Sequence, residues 1–219
     1  MIKGAIFDMD GVLVDNGEVH FEAFRQFSRK YGIEVTTEQL RSVFGMGNDD
    51  IFRVIFPAEL IERVGLKQLG DDKEVLYRSI YKPVIPNKGL HALLRDLADA
   101  GIGCSVGSSG PTENVEYVLN ECQIVPFFKH KINGDMVVKR KPDPEIFIKA
   151  VEALGFAPEE CVVFEDSLSG VEAARRAGTH VVALTTTYPA DVLREKVAPD
   201  YIINDFTEIS SAKLQELFG

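Results

Sequence analysis

AIFDMDGVLVD, residues 5–15, runs three apolar or small residues into two carboxylates one residue apart, Asp8 and Asp10, and then turns on Gly11. An apolar strand that stops on acids and a glycine places oxygen ligands at its carboxyl end. There, an open parallel sheet binds its ligands. If the strand's period of two persists, Asp8 and Asp10 lie on the same side of the chain. Gly11 permits a sharp turn directly after them.

The same rhythm returns later in the chain. IGCSVG (102–107) is an apolar run ending in Ser108 and Ser109, and Pro111 suits the first turn of the next helix. KINGD (131–135) reads as a weaker strand leading toward Lys141. CVVFED (161–166) ends in Glu165 and Asp166, and HVVALTT (180–186) and DYIIND (200–205) are further strands. Helical stripes separate them, such as Leu90, Leu93, Leu94 and Leu97 before Gly101. Alternating strands and helices specify a doubly wound α/β fold, and continuous apolar strands such as VVAL fit a sheet covered on both faces.

Residues 16–85 break this rhythm. Phe21, Phe24, Phe27 and Tyr31 share one helical face, and helical patterns continue with breaks near Gly45–Gly47, Pro57 and Gly70–Asp71. No strand is predicted here. The expected organisation is a core of residues 1–15 and 86–219, with an all-helical insert at 16–85.

Among 219 residues the net charge is −10, which disfavours a nucleic-acid partner. No apolar run reaches the ~18 residues of a membrane helix. The N-terminus lacks the pattern of a signal peptide, and Cys104, Cys122 and Cys161 match no zinc spacing. Buried free thiols and a cytoplasmic location are expected.

Each strand-end motif has a plain structural reading. Asp-Gly is a common turn, Ser-Ser-Gly-Pro a helix cap, Glu-Asp-Ser a helix start and Lys-Pro a solvated loop. Together, each at a strand end, they converge on one crevice. Crowded carboxylates repel, and a hard cation such as Mg²⁺ relieves them while accepting phosphate oxygens. Lys141 adds a point charge for phosphate and Ser108 a hydroxyl. One aspartate can then attack phosphorus, and a second can act as acid and base.

The order DMDGVLVD, VGSS, KPDPEIF, FEDSLSGVEAARRAG resembles the haloacid dehalogenase-like superfamily. It is most similar to the branch with a helical cap after the first motif, which contains β-phosphoglucomutases and small-metabolite phosphatases. The resemblance implies Asp8 as nucleophile, Asp10 as acid and base, and Mg²⁺ held by Asp8, the Asp10 carbonyl, Glu165 and Asp166. It implies phosphoryl contacts from Ser108 and Lys141, with His20 matching a histidine near the cap hinge; Ser109, next to Ser108, is a further candidate substrate contact. Asn48 aligns where the mutases carry an arginine for a distal phosphate, so the resemblance favours a phosphatase acting on a small phosphorylated metabolite. The alternatives are a sugar-phosphate mutase, a metal-independent dehalogenase, and a non-enzymatic phospho-acceptor domain.

Overall fold

The computed structural model describes residues 1–43 and 47–219. The chain divides into two compact units, one of Met1–Asp15 with Val84–Gly219 and one of Asn16–Pro83.

The first unit is built on six parallel strands: β1 (Gly4–Phe7), β2 (Gly103–Gly107), β3 (Phe128–Ile132), β4 (Cys161–Glu165), β5 (His180–Leu184) and β6 (Tyr201–Ile203). Their order across the sheet is β3-β2-β1-β4-β5-β6. The chain reverses direction across the sheet between β1 and β4, which is where an open sheet of this kind forms its ligand crevice. β1 is buried along its whole length, with Phe7 beside Val106 of β2 and Phe164 of β4. Alternate side chains serve opposite faces. Ile6, Val163 and Val181 pack with Phe147 and Val171 of the two helices α8 (Glu145–Leu154) and α9 (Leu168–Arg176). On the opposite face Phe7 stacks on Phe164 at 4.6 Å and meets Phe206.

The second unit is wholly helical among its described residues: α1 (Gly17–Arg29), α2 (Thr37–Ser42), α3 (Asn48–Ile55), α4 (Ala58–Val64) and α5 (Leu66–Ile80). Phe21, Phe24 and Phe27 are buried, in keeping with their spacing, beside Phe52, Phe56 and Leu69, while Tyr31 packs at the edge of this core. Thr36 caps α2 through a reciprocal capping box with Gln39.

Three local expectations differ from the structure. α5 runs through Gly70–Asp71 because its Leu69, Lys73 and Tyr77 are buried on one line of the helix; the chain breaks instead at Gly65, between α4 and α5. β3 begins at Phe128, three residues before Lys131, and Asn133–Asp135 form a turn whose Gly134 N–H donates to the Gly110 carbonyl at 2.9 Å. Pro111 precedes α7 (Thr112–Glu121) in extended conformation, and the helix N-terminus is held by Asp135, which accepts from both the N–H and the hydroxyl of Thr112. Of the break expected near Gly45–Gly47, Gly45 and Met46 lie outside the described residues; Gly47 precedes α3.

All three cysteines are buried and unpaired with one another. Burial pushes the Cys104 thiol up to about 12. Among the described residues no helix is long and apolar enough to cross a membrane.

Candidate active site

β1 ends at Phe7, so Asp8 and Asp10 do not share a face by strand alternation; their relation is set by a tight loop. The Asp8 N–H extends the sheet one step by donating to the Phe164 carbonyl at 3.0 Å. The Met9 carbonyl then accepts from the N–H groups of Val12, Leu13 and Val14, and the Gly11 N–H donates to the Val14 carbonyl. Gly11 has φ +81°, and a Cβ there would overlap the Asp166 carboxylate. The first acid-rich turn and the acid pair after β4 are therefore in direct contact.

Lys141 ties three strand ends together. Its Nζ donates to Asp8 Oδ1 at 2.6 Å, to Glu165 Oε1 at 2.7 Å and to the Gly107 carbonyl at 3.2 Å, above the Phe147 ring. All three of its donors are used. Burial works against the ammonium, but Asp8 and Glu165 outweigh it and hold its pKa above the ordinary lysine value. The Lys141 loop is anchored by Glu145, whose carboxylate accepts from the N–H groups of Val138 and Lys139.

Burial pushes the Asp8 carboxyl up to about 7, against the pull of Lys141 and with the push of Glu165 and Asp10. Burial likewise pushes Asp166 well up, reinforced by the charges of Glu165 and Asp8. Ser108 is fully buried; its N–H donates to the Ile132 carbonyl and its Oγ accepts from the Gly110 N–H at 3.1 Å. That leaves the hydroxyl hydrogen to donate. Ser109, by contrast, is exposed.

Glu165, expected as a metal ligand, is held by hydrogen bonds on both oxygens. Its Oε2 accepts from the Asp166 and Ser167 N–H groups, both at 2.8 Å, and from Ser167 Oγ at 3.0 Å, while Oε1 accepts from Lys141. The carboxylate lies so close to Gly170 that a Cβ there would overlap it. Both oxygens are committed, and Glu165 acts as the anchor of Lys141 and of the start of α9.

Three polar residues that the sequence motifs do not mark complete the site. Thr187 Oγ1 donates to Asp166 Oδ2. Thr186 Oγ1 donates to the Gly11 carbonyl at 2.6 Å and lies 3.4 Å from Asp166 Oδ2. Asn87 Nδ2 donates to the Val12 carbonyl at 2.7 Å and the Gly11 carbonyl at 3.2 Å. The threonines stand at the carboxyl end of β5, so their position, like that of the other strand-end residues, is a signal the sequence carries. Asn87 has no such signal.

His20 and Asn48 belong to the helical unit, where they meet a buried ion pair. His20 stacks on Tyr77 with centroids 4.0 Å apart, and its Nδ1 is 3.4 Å from Lys73 Nζ. Lys73 pairs with Glu74 at 2.6 Å and stands 4.6 Å over the Phe24 ring. Asn48 Nδ2 donates to Glu74 Oε1 at 2.7 Å. Burial opposes the Glu74 charge, yet Lys73, His20 and Asn48 hold its pKa below the usual carboxylate value. Lys73 lies between Leu69 and Tyr77 at four-residue spacing, and a charge on the buried line of α5 is the one trace of this pair in the sequence.

Among the described residues, no three His, Cys, Asp or Glu side chains are grouped as a ready-made metal cage. The donor set nevertheless suits Mg²⁺, which commonly takes one or two carboxylates and fills its remaining positions with water and substrate phosphate. Asp166 Oδ2 faces Thr187, which leaves Asp166 Oδ1 as a hard oxygen donor beside the Asp8 carboxylate, on two buried, mutually repelling acids.

The model of the family described as haloacid dehalogenase-like hydrolase matches residues 5–184. A phosphorylated carbohydrates phosphatase of Thermotoga maritima is 32% identical over 181 residues, covering 81% of this chain and 82% of its own. A validoxylamine A 7′-phosphate phosphatase of Streptomyces hygroscopicus subsp. limoneus is 29% identical over 214 residues, or 95% and 96% of the two chains. The crystal structure of CbbY from Rhodobacter sphaeroides in complex with phosphate superposes with a TM-score of 0.88 at 25% identity, covering 98% of this chain and all of that one. The chain belongs to the haloacid dehalogenase-like hydrolases, and it is an enzyme of that family.

Proposed function

We propose that this enzyme is a Mg²⁺-dependent phosphomonoester hydrolase acting on a small phosphorylated carbohydrate or a related metabolite, through a phosphoryl group carried on Asp8. The observation that carries this reading is the Lys141 ammonium. It orients one Asp8 oxygen and leaves the other for phosphorus, at the carboxyl end of the central strand. The two phosphatases above agree with the substrate class.

In the first half-reaction Asp8 Oδ2 forms the O–P bond while the bond from phosphorus to the substrate oxygen breaks. Asp10 gives its proton to the departing alkoxide. In the second, Asp10 takes a proton from water, the water oxygen bonds to phosphorus, and inorganic phosphate leaves with the Asp8 carboxylate restored. Ser108 donates its hydroxyl to a phosphoryl oxygen and Lys141 offsets charge on the group in transfer. Bound Mg²⁺ would supply Lewis-acid stabilisation of the phosphoryl oxygens beside Asp8 and Asp166. Glu165 keeps Lys141 in place and Asn87 fixes the loop that carries Asp10.

We assign substrate selection to the helical unit, with His20 and Asn48 among the contributing side chains. Its buried polar group is charge-balanced, Lys73 against Glu74, and Asn48 bonds Glu74 where a mutase would present an arginine. An internally neutralised cluster suits a hydroxyl-rich leaving group over a second phosphate, which argues against the mutase reading.

Asp8→Asn is expected to abolish phosphate release from p-nitrophenyl phosphate with Mg²⁺; wild-type turnover in that variant would refute the nucleophile. A panel of phosphorylated metabolites, assayed with and without Mg²⁺, identifies the substrate class. Formation of glucose 6-phosphate from β-glucose 1-phosphate, with a trace of bisphosphate and no free phosphate, would instead establish a mutase.

A further inference from the structure

We infer that Thr187 is a positioning residue that makes the metal site selective for Mg²⁺ over Ca²⁺, by occupying one oxygen of Asp166 and leaving the other as a single-point donor. This rests on the Mg²⁺ reading above and adds a role to a residue outside the recognised motifs.

Asp166 is 4% exposed, and its Oδ2 accepts the Thr187 hydroxyl, lies 3.4 Å from the Thr186 hydroxyl and abuts Gly11. Of the two oxygens it is Oδ2 that would meet a Gly11 Cβ most closely, with Oδ1 a full 3.1 Å from that point. Asp8 shows the same division, with Oδ1 committed to Lys141. Glu165 has both oxygens committed. Asp166 therefore offers a cation one oxygen.

Mg²⁺ is small and requires a near-octahedral shell at short distance, which single-oxygen carboxylates and waters supply. Ca²⁺ takes six to eight oxygens and is often satisfied by carboxylates that bind through both. A hydroxyl donating to Oδ2 opposes the two-oxygen mode directly. Hydrogen bonds to ligating carboxylates of this kind commonly change metal affinity ~10–100-fold when removed. Thr186 makes its shorter bond to the Gly11 carbonyl, so its first task is to hold the loop. Thr187 is the stronger partner of Asp166.

The test uses the full chain without substrate. Mg²⁺ and Ca²⁺ are titrated separately by calorimetry, and by the shift in thermal unfolding, for the wild type, Thr187→Val and Thr187→Ser. The wild type is expected to prefer Mg²⁺. Thr187→Val should lower the Mg²⁺-to-Ca²⁺ affinity ratio by ~10-fold or more, and Thr187→Ser, which keeps the hydroxyl, should hold the ratio near wild type. Unfolding in EDTA checks that both variants are folded; Thr187 is only half-buried. If Thr187→Val weakens both ions equally, the residue is merely structural and the inference fails while the Mg²⁺ reading stands. If Mg²⁺ neither binds nor stabilises the wild type, the Mg²⁺ reading falls and takes the inference with it.

Discussion

On the proposed mechanism Asp8 carries two opposing demands: an ionised carboxylate for attack, and burial that resists ionisation. The carboxyl is raised from 3.8 to about 7, chiefly by burial. Between roughly pH 4 and 7, the folded protein holds a proton on Asp8 that the unfolded chain has lost. The native state binds more protons there, so this group's contribution to stability falls as pH rises through that window. Asp8→Asn escapes the penalty, and its amide oxygen can still accept from Lys141. In EDTA the melting temperature of Asp8→Asn minus that of wild type should grow between pH 4 and pH 7 by several degrees, at ~2–4 °C per kcal/mol for a chain of this size. A constant difference across the titration would show that Asp8 is not strained by its surroundings. Stability exchanged for chemistry in this way is common at active sites.

At the scale of elements, the site is made of the segments just past each strand, and its precision comes from cross-links between them. Asn87, just before helix α6 (Leu90–Asp99), donates to two carbonyls of the loop that carries Asp10, and its own N–H donates to the Leu13 carbonyl at 2.9 Å. Asn87→Ala removes the side-chain donor of the Val12 carbonyl, while the Gly11 carbonyl keeps the Thr186 hydroxyl, at ~1–3 kcal/mol of stability where Val12 stays dry. With Asp10 as the proposed proton donor, it should also lower kcat by ~10-fold or more, because small displacements of such a group are costly. Asn87→Asp should behave like Asn87→Ala, since it loses the donors while keeping the shape. Activity and melting curves of the pair check this; an active Asn87→Asp would mean that the loop holds itself. The same scale separates the legible from the hidden. The apolar strands ending in Asp8, Ser108 and Glu165 are legible because burial on both faces writes itself as a continuous hydrophobic run. Gly70 imitates a break in the helical insert, yet a glycine in a helix is tolerated when its neighbours Leu69 and Lys73 are packed. The ion pair of Lys73 and Glu74 stays hidden because sequence order does not say which charged residues share an interior.

At the scale of the molecule, a chain of net charge −10 handles an anionic substrate. Its overall field repels the substrate that, on the proposed reading, the Lys141 pocket holds. Salt screens long-range repulsion within ~10 Å at 0.1 M but reaches a buried ammonium poorly. Raising ionic strength from ~10 to ~150 mM at constant free Mg²⁺ should therefore raise kcat/KM for a sugar phosphate modestly, through KM. A fall would mean that local cations steer the substrate.

The order of strands and helices and the helical insert were legible in the sequence alone, which also marked Asp8, Asp10, Ser108, Lys141 and Asp166 as candidates, because each rests on local periodicity or on a motif contiguous in the chain. Tertiary structure decided how those groups share their oxygens. Lys141 joins Asp8 to Glu165 across 133 and 24 residues of chain, Thr187 takes one oxygen of Asp166, and Glu165 becomes an anchor. Hydrogen bonds act over a few ångströms between segments the fold brings together, so the division of each carboxylate between protein and ligand exists only once the sheet has formed.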